Sequence, residues 1–319
     1  MQERIDTTVY TPEQFIQDLR FTANTIQADF CERTTQRMLE VFAPEFRNCV
    51  LQWKTTSRPG DALSYRFFYN GPEDLTERAQ EAGLLAATPS PLNTLQREAL
   101  ATFPHAMRSG IDFDAAHGLA KEWTFTGAPI PVEEIFCLRS LPDGFRQHAG
   151  FFRQYGLRHV GFLASDYQKR SMNVYFRWDE ANRNTEWLQR IVCATGGAPL
   201  PRETVQDILL SQAHLSGVGV TFALDQPELL RWCVYSLEVP YAEGDASPVR
   251  LPALPERLAT FREKAPSLNA CPSYHMGWSF GPAGAYVKLE KNYARDASFF
   301  FTTEMGADLS HSLPDTNRP

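Results

Sequence analysis

Leu51-Gln-Trp-Lys-Thr-Thr-Ser-Arg-Pro-Gly-Asp-Ala-Leu-Ser-Tyr-Arg-Phe-Phe68 is the stretch on which the fold turns. A mixed apolar and polar run from Cys49 to Thr56 meets a reversal at Ser57 to Asp61, where Pro59 and Gly60 supply turn chemistry. A second run follows from Leu63 to Tyr69, so the spacing predicts an antiparallel hairpin. Alternate residues of a strand share a face, which puts Ser64, Arg66 and Phe68 together. A face that carries a guanidinium beside an aromatic ring makes a poor hydrophobic core, because an unpaired buried cation is costly. It suits the wall of a pocket for an anionic group joined to something apolar.

The same spacing recurs at Lys121-x-Trp123-x-Phe125, Asn173-x-Tyr175-x-Arg177, Arg231-x-Cys233-x-Tyr235 and Tyr286-x-Lys288-x-Glu290. Each segment falls in a candidate hairpin, with strands over 109–114 and 119–126, 159–166 and 171–178, 217–224 and 230–239, and 273–280 and 285–293. Helical patterns precede every hairpin. Thr11, Pro12 and Gln14 form a helix start, a second helix runs from Glu32 to Phe46, and others fall near 73–84, 91–102, 131–140, 143–155, 180–195, 202–212 and 253–265. The turns near 59, 116, 168, 227 and 283 repeat at about 52 to 59 residues, the mark of a repeated supersecondary unit. Five units of helix and hairpin give ten antiparallel strands, which leave no free edge only if they close. The expected fold is α+β: a ten-stranded antiparallel barrel of five ααββ repeats, ringed by helices and wide enough for a cavity. Residues 1–300 form one such domain, and 301–319 are expected to be a polar, mobile tail.

The net charge of −7 argues against nucleic acid or an anionic membrane as a partner. Six scattered cysteines without a C-x-x-C pair suit reduced thiols in the cytoplasm. The start Met1-Gln-Glu-Arg-Ile-Asp6 has no apolar core, and no apolar run approaches membrane-spanning length. The chain carries no Walker loop, G-x-G-x-x-G, G-x-S-x-G, H-E-x-x-H or D-D-x-x-D motif. Its seven histidines show no metal-ligand spacing and read as surface or structural residues.

What remains is the cationic, aromatic face. The plain alternative turns every Lys and Arg outward, as those residues usually sit. The shared parity of cation and aromatic in successive hairpins opposes it. Arg and Lys donate several hydrogen bonds to phosphate oxygens without a metal. Aromatic faces stabilise a cation and keep water from it. Together they suit ionisation of an allylic diphosphate and capture of the carbocation by an electron-rich ring. A non-catalytic barrel that carries an amphipathic anion is the competing reading.

The hairpin quoted above resembles its counterpart in the aromatic prenyltransferases of aminocoumarin biosynthesis. Tyr155-Gly-Leu-Arg-His-Val160, Asp166-Tyr-Gln-Lys-Arg-Ser-Met-Asn-Val-Tyr-Phe176, Gly277-Trp-Ser-Phe-Gly281 and Tyr286-Val-Lys-Leu-Glu290 are similar to that group and its naphthoquinone and phenazine relatives. The chain is thereby identified as a member of the soluble ABBA prenyltransferases, whose fold is a ten-stranded barrel with the active site in its lumen. The resemblance implies that Lys54, Arg66, Lys121, Asn173, Arg231 and Lys288 hold the diphosphate. It implies that Tyr175, Tyr235, Tyr286 and Trp123 line or shield the prenyl chain. Glu290 is the implied catalytic carboxylate, which orients an acceptor hydroxyl, raises ring nucleophilicity or takes the proton.

Two departures shape the expectation. Ser64 stands where some relatives place a magnesium-binding Asp, so no metal cofactor is expected and magnesium is expected to be dispensable. Gly161 stands where the aminocoumarin enzymes carry an Arg for the acceptor's carboxylate. Indole, phenol, naphthol and phenazine acceptors therefore stay open. The expected donor is dimethylallyl diphosphate, with geranyl diphosphate second.

Overall fold

A computed structural model describes residues 10–297 apart from 72, 87–89, 104, 105, 107, 213, 214, 225, 227, 240–251 and 271. The expected tail at 301–319, the turn residue 227 and Cys271 lie outside the described residues. The first unit places α1 (Pro12–Thr25), α2 (Glu32–Val41) and α3 (Ala43–Asn48) before β1 (Val50–Thr56) and β2 (Ser64–Asn70). The second has α4 (Leu75–Glu81), α5 (Pro91–Thr102), β3 (Arg108–Asp114) and β4 (Gly118–Pro131). The third has α6 (Val132–Ile135), α7 (Asp143–Gln147), α8 (Ala149–Gln154), β5 (His159–Asp166) and β6 (Ser171–Arg177). The fourth has α9 (Thr185–Ala194), α10 (Arg202–Leu210), β7 (Ser216–Ala223) and β8 (Leu229–Val239), and the last has α11 (Glu256–Lys264), β9 (Tyr274–Phe280) and β10 (Tyr286–Ala294).

Local chemistry sets the boundaries. Thr11 caps α1 by accepting from the Gln14 backbone N–H at 3.1 Å, with Pro12 following. Asp74 and Asn184 cap α4 and α9 in the same way. The helix expected from Glu32 to Phe46 divides at Phe42, because Pro44 lacks the N–H that would continue the ladder and instead opens α3. β4 runs to Pro131, longer than expected, and leaves only one turn for α6.

The strands pair in the closed antiparallel order β1-β10-β9-β8-β7-β6-β5-β4-β3-β2. Closure rests on β1 and β10, where Lys54 faces Glu290 in register. The outward face of the strands is apolar. Trp53, Tyr65, Phe113, Val174, Val220, Trp232 and Leu289 join Phe15, Phe42, Phe46, Phe152 and Phe261 of the helices in one core. Each such fully buried side chain contributes about 1.5–3 kcal/mol. The inward face is divided along the barrel axis. A second apolar cluster, with Val50, Phe68, Phe125, Phe162, Leu215 and Leu237, fills part of the lumen. The remaining interior is polar and open.

Candidate active site

The open part of the lumen is a cavity of about 340 Å³. Arg58, Asp61 and Lys169 are among its lining residues, together with the strand residues Lys54, Arg66, Lys121, Arg231 and Lys288. Period-two alternation aims these side chains inward, since their sequence neighbours Trp53, Phe67, Trp232 and Leu289 belong to the outer core. Two walls emerge.

On the wall of β1 to β3, joined by Glu290 of β10, the charges are paired with one another. Asp112 accepts from Lys54 Nζ at 2.6 Å, from Arg66 Nη2 at 3.2 Å and from the Trp123 indole N–H at 2.9 Å. Arg66 reaches across to Glu290, its Nη1 donating to Oε2 at 3.0 Å. His275 Nδ1 lies 3.6 Å from the same oxygen and 3.3 Å from Gln52 Nε2. Burial pushes the Glu290 carboxyl up, but Arg66, His275 and Lys54 together outweigh it and hold it well below the usual carboxylate range. Glu290 is a fixed anion. Asp112 is held low as well, with burial outweighed by Arg66, Lys54 and Lys121.

On the other wall, which runs through β4, β6 and β8 and shares β10 with the first through Lys288, the donors are loosely held. Lys121 Nζ is 3.5 Å from Asp166 Oδ2. Burial, together with the charges of Lys54 and Arg231, pulls the Lys121 ammonium down to about 7 against the pull of Asp166. Arg231 Nε and Asn173 Nδ2 are buried donors without a hydrogen-bond partner, a costly state unless a ligand fills it. Lys288 Nζ donates to the Tyr235 hydroxyl at 2.8 Å and lies 5.1 Å from the centre of that ring. Tyr175 stacks on Phe162 at 4.3 Å and on Trp123 at 4.9 Å. Glycines make this wall flat. A Cβ on Gly219 would meet the Tyr235 ring at 2.9 Å and the Tyr175 ring at 3.0 Å, and one on Gly277 would meet Tyr235 at 2.9 Å.

A lumen cavity that sets cations and unpartnered donors beside aromatic faces and a fixed carboxylate fits a site for an anion attached to an electron-deficient carbon. The comparison with known proteins agrees. The family model of the aromatic prenyltransferase Orf2 matches residues 10–302. The chain is a member of the aromatic prenyltransferase family. It is 37% identical to a 4-hydroxyphenylpyruvate 3-dimethylallyltransferase of Streptomyces niveus over 95% of this chain and 94% of that protein. It is 34% identical to an aromatic prenyltransferase of Sclerotinia sclerotiorum, over 89% and 91% of the two chains. A 5,10-dihydrophenazine-1-carboxylate 9-dimethylallyltransferase of Streptomyces anulatus is 28% identical over 82% and 87%. Among solved structures, NotF prenyltransferase superposes with a TM-score of 0.53 at 11% identity, covering 91% of this chain and 97% of that one. That likeness establishes the shared fold.

Within this aromatic prenyltransferase, Lys54, Arg66, Lys121, Arg231, Lys288, Trp123, Tyr175, Tyr235, Tyr286 and Glu290 all line the cavity. Asn173 shares their face but is not among the lining residues, and its amide oxygen accepts from the Thr221 hydroxyl at 2.6 Å. Arg177, part of the motif at 173–177, is exposed at the end of β6 and lies 3.6 Å from Asp179. Ser64 lines the cavity, whereas Gly161 is the extra residue of a bulge on β5. Asp112, Asp166 and His275 were not singled out by sequence reasoning. The alternation Ile111-Asp112-Phe113 does put Asp112 on the face opposite two core residues, which was the available signal. His275 is fully buried beside Glu290 rather than on the surface.

No helix among the described residues is long and apolar enough to cross a membrane.

Proposed function

We propose that this prenyltransferase moves a dimethylallyl group from dimethylallyl diphosphate to a ring carbon of a phenol-type acceptor, without a metal. The observation that carries the reading is the asymmetry of the lumen: loosely held donors on one wall, a carboxylate fixed as an anion on the other. Lys121, Arg231 and Lys288, with the Asn173 amide, receive the diphosphate. They compensate the charge that develops as the allylic C–O bond breaks and pyrophosphate departs with the electron pair. The rings of Tyr175, Tyr235, Tyr286 and Trp123 stabilise the allyl cation and exclude water. Glu290 accepts a hydrogen bond from the acceptor hydroxyl and raises electron density on the ring. A ring π pair then forms the new C–C bond, and rearomatisation gives the ring proton to a phosphate oxygen or to water.

The phenolic acceptor is favoured by the relative at 37% identity, whose name specifies a hydroxyphenyl substrate and a dimethylallyl group. Metal-free chemistry is favoured by Ser64 at the cavity wall, with Lys54 rather than a carboxylate opposite it on β1. Described cysteines Cys31, Cys49, Cys137, Cys193 and Cys233 are free thiols, which suits a cytoplasmic setting. Passive carriage of an anion gains nothing from Asp112, Asp166 and Glu290 among the cations.

The test incubates the protein with dimethylallyl diphosphate, EDTA and a panel of phenols, indoles, naphthols and phenazines, and follows acceptor mass. A phenol that gains one prenyl unit is the expected outcome. Absence of product from every acceptor, with magnesium and geranyl diphosphate also tried, would sink the reading.

A further inference from the structure

Asp112 is an odd residue to find in an anion site. It is 2% exposed, lies inside the lumen and opposes any negatively charged ligand. Yet it gathers more lumen donors than any neighbour described above, Lys54 at 2.6 Å, Arg66 Nη2 at 3.2 Å and the Trp123 indole at 2.9 Å, with Arg66 Nε 2.8 Å away in the ion pair. Lys121 stands beside it in strand register but directs its ammonium toward Asp166 instead. The cavity thus divides its cations into a committed pair, Lys54 and Arg66, and an available set, Lys121, Arg231 and Lys288.

We infer that Asp112 is a positioning residue that acts as an internal counter-anion, occupying Lys54 and Arg66 so that pyrophosphate is held by Lys121, Arg231 and Lys288 and can leave after transfer. The physical reason is product release. Pyrophosphate carries at least as much charge as the diphosphate ester it comes from, so a site tuned only for anions would hold product as tightly as substrate. Tight uniform binding does not raise turnover. Seven Lys and Arg side chains line the cavity, with six carboxylates, of which Asp112, Asp166 and Glu290 are buried. Removing the Asp112 charge raises the positive excess of the lining from one to two in a poorly screened interior, where each charge acts strongly. The same carboxylate fixes the Trp123 indole, whose ring lies 28° from the plane of Tyr175.

The inference rests on the donor chemistry proposed above, and binding of inorganic pyrophosphate tests it without turnover. By isothermal titration, Asp112→Asn binds pyrophosphate about tenfold or more tightly than the unaltered protein. Its donor KM and its kcat both fall, with turnover limited by product release. A merely structural role for Asp112 would weaken binding and raise KM. Pyrophosphate affinity that is unchanged or lower in folded Asp112→Asn, or absent from both proteins, overturns the inference. A protein that binds pyrophosphate as described but prenylates nothing overturns the proposed reaction alone. Should Asp112→Asn fail to fold, the double variant Asp112→Asn, Lys54→Met removes one charge of each sign. It should bind pyrophosphate within about threefold of the unaltered protein, and a loss beyond about tenfold would count against the counter-anion.

Discussion

The two walls of the lumen treat their cations differently. On β1–β3, Lys54 and Arg66 are locked by Asp112 and Glu290 at 2.6 to 3.2 Å. On the other wall Lys121 is loosely paired, Lys288 donates to a phenol hydroxyl, and Arg231 keeps a buried N–H unsatisfied. A satisfied network is rigid and keeps its shape when a ligand arrives. An unsatisfied one stores a desolvation penalty that only a ligand relieves. On the function proposed above, the difference separates positioning of the acceptor from binding of the donor.

The contrast can be broken most sharply on the binding wall. Arg231→Ala removes a buried donor with nothing to replace it, so kcat/KM for the donor should fall by about 10²- to 10³-fold in steady-state assays. An effect no larger than that of Lys54→Ala would erase the distinction between the walls. Glu290→Gln tests the other side. Donor affinity should stay within about threefold while kcat drops by about a hundredfold, a split that separates positioning of the acceptor from binding of the diphosphate. Gly277→Ala places a methyl 2.9 Å from the Tyr235 ring, and such overpacking should lower kcat/KM by about tenfold and stability by about 1–3 kcal/mol, read from kinetics and chemical denaturation.

Lys121 gives a pH test. Its ammonium, lowered to about 7, is present below that pH and lost above it. Donor kcat/KM should therefore fall by about three- to tenfold from pH 6.5 to 8.5, and Lys121→Arg should flatten the decline. Stability moves the other way. Between about 7 and the ordinary lysine value the unfolded chain binds the extra proton, so removing it favours the native state as pH rises. The smallest effect should come from EDTA, with activity within about twofold of untreated protein because the binding wall supplies its charge from side chains.

Much of this was legible in the chain. The repeat of helix and hairpin needed only turn residues and period-two runs, since each unit carries its own local signals. Inward parity of Arg66, Trp123, Tyr175 and Lys288 followed from the same rule. The alternation at Ile111-Asp112-Phe113 was equally readable, but its meaning was not. An Asp between apolar residues reads as a solvent-facing position until pairing shows that β3 adjoins Arg66 on one side and Lys121 on the other. Depth was also hidden. Asn173 has the right parity, yet its reach to the cavity depends on the bulges and stagger of neighbouring strands, which no single strand encodes. His275 escaped for the same reason, because only the β9–β10 register sets it opposite Glu290.

The pairing of β1 with β10 has a kinetic side. Lys54 and Glu290 are neighbours in the sheet but lie at opposite ends of the described chain, so the seam that seals the barrel is its most non-local contact. Closing such a loop carries a chain-entropy cost that local hairpins avoid, and topologies of this kind fold slowly. Glu290 arrives on that last strand. A nascent chain can thus assemble every earlier hairpin, with Arg66, Lys121 and Arg231 in place, and still have no sealed chamber. The closed ring of strands exists only once the final strand pairs with the first.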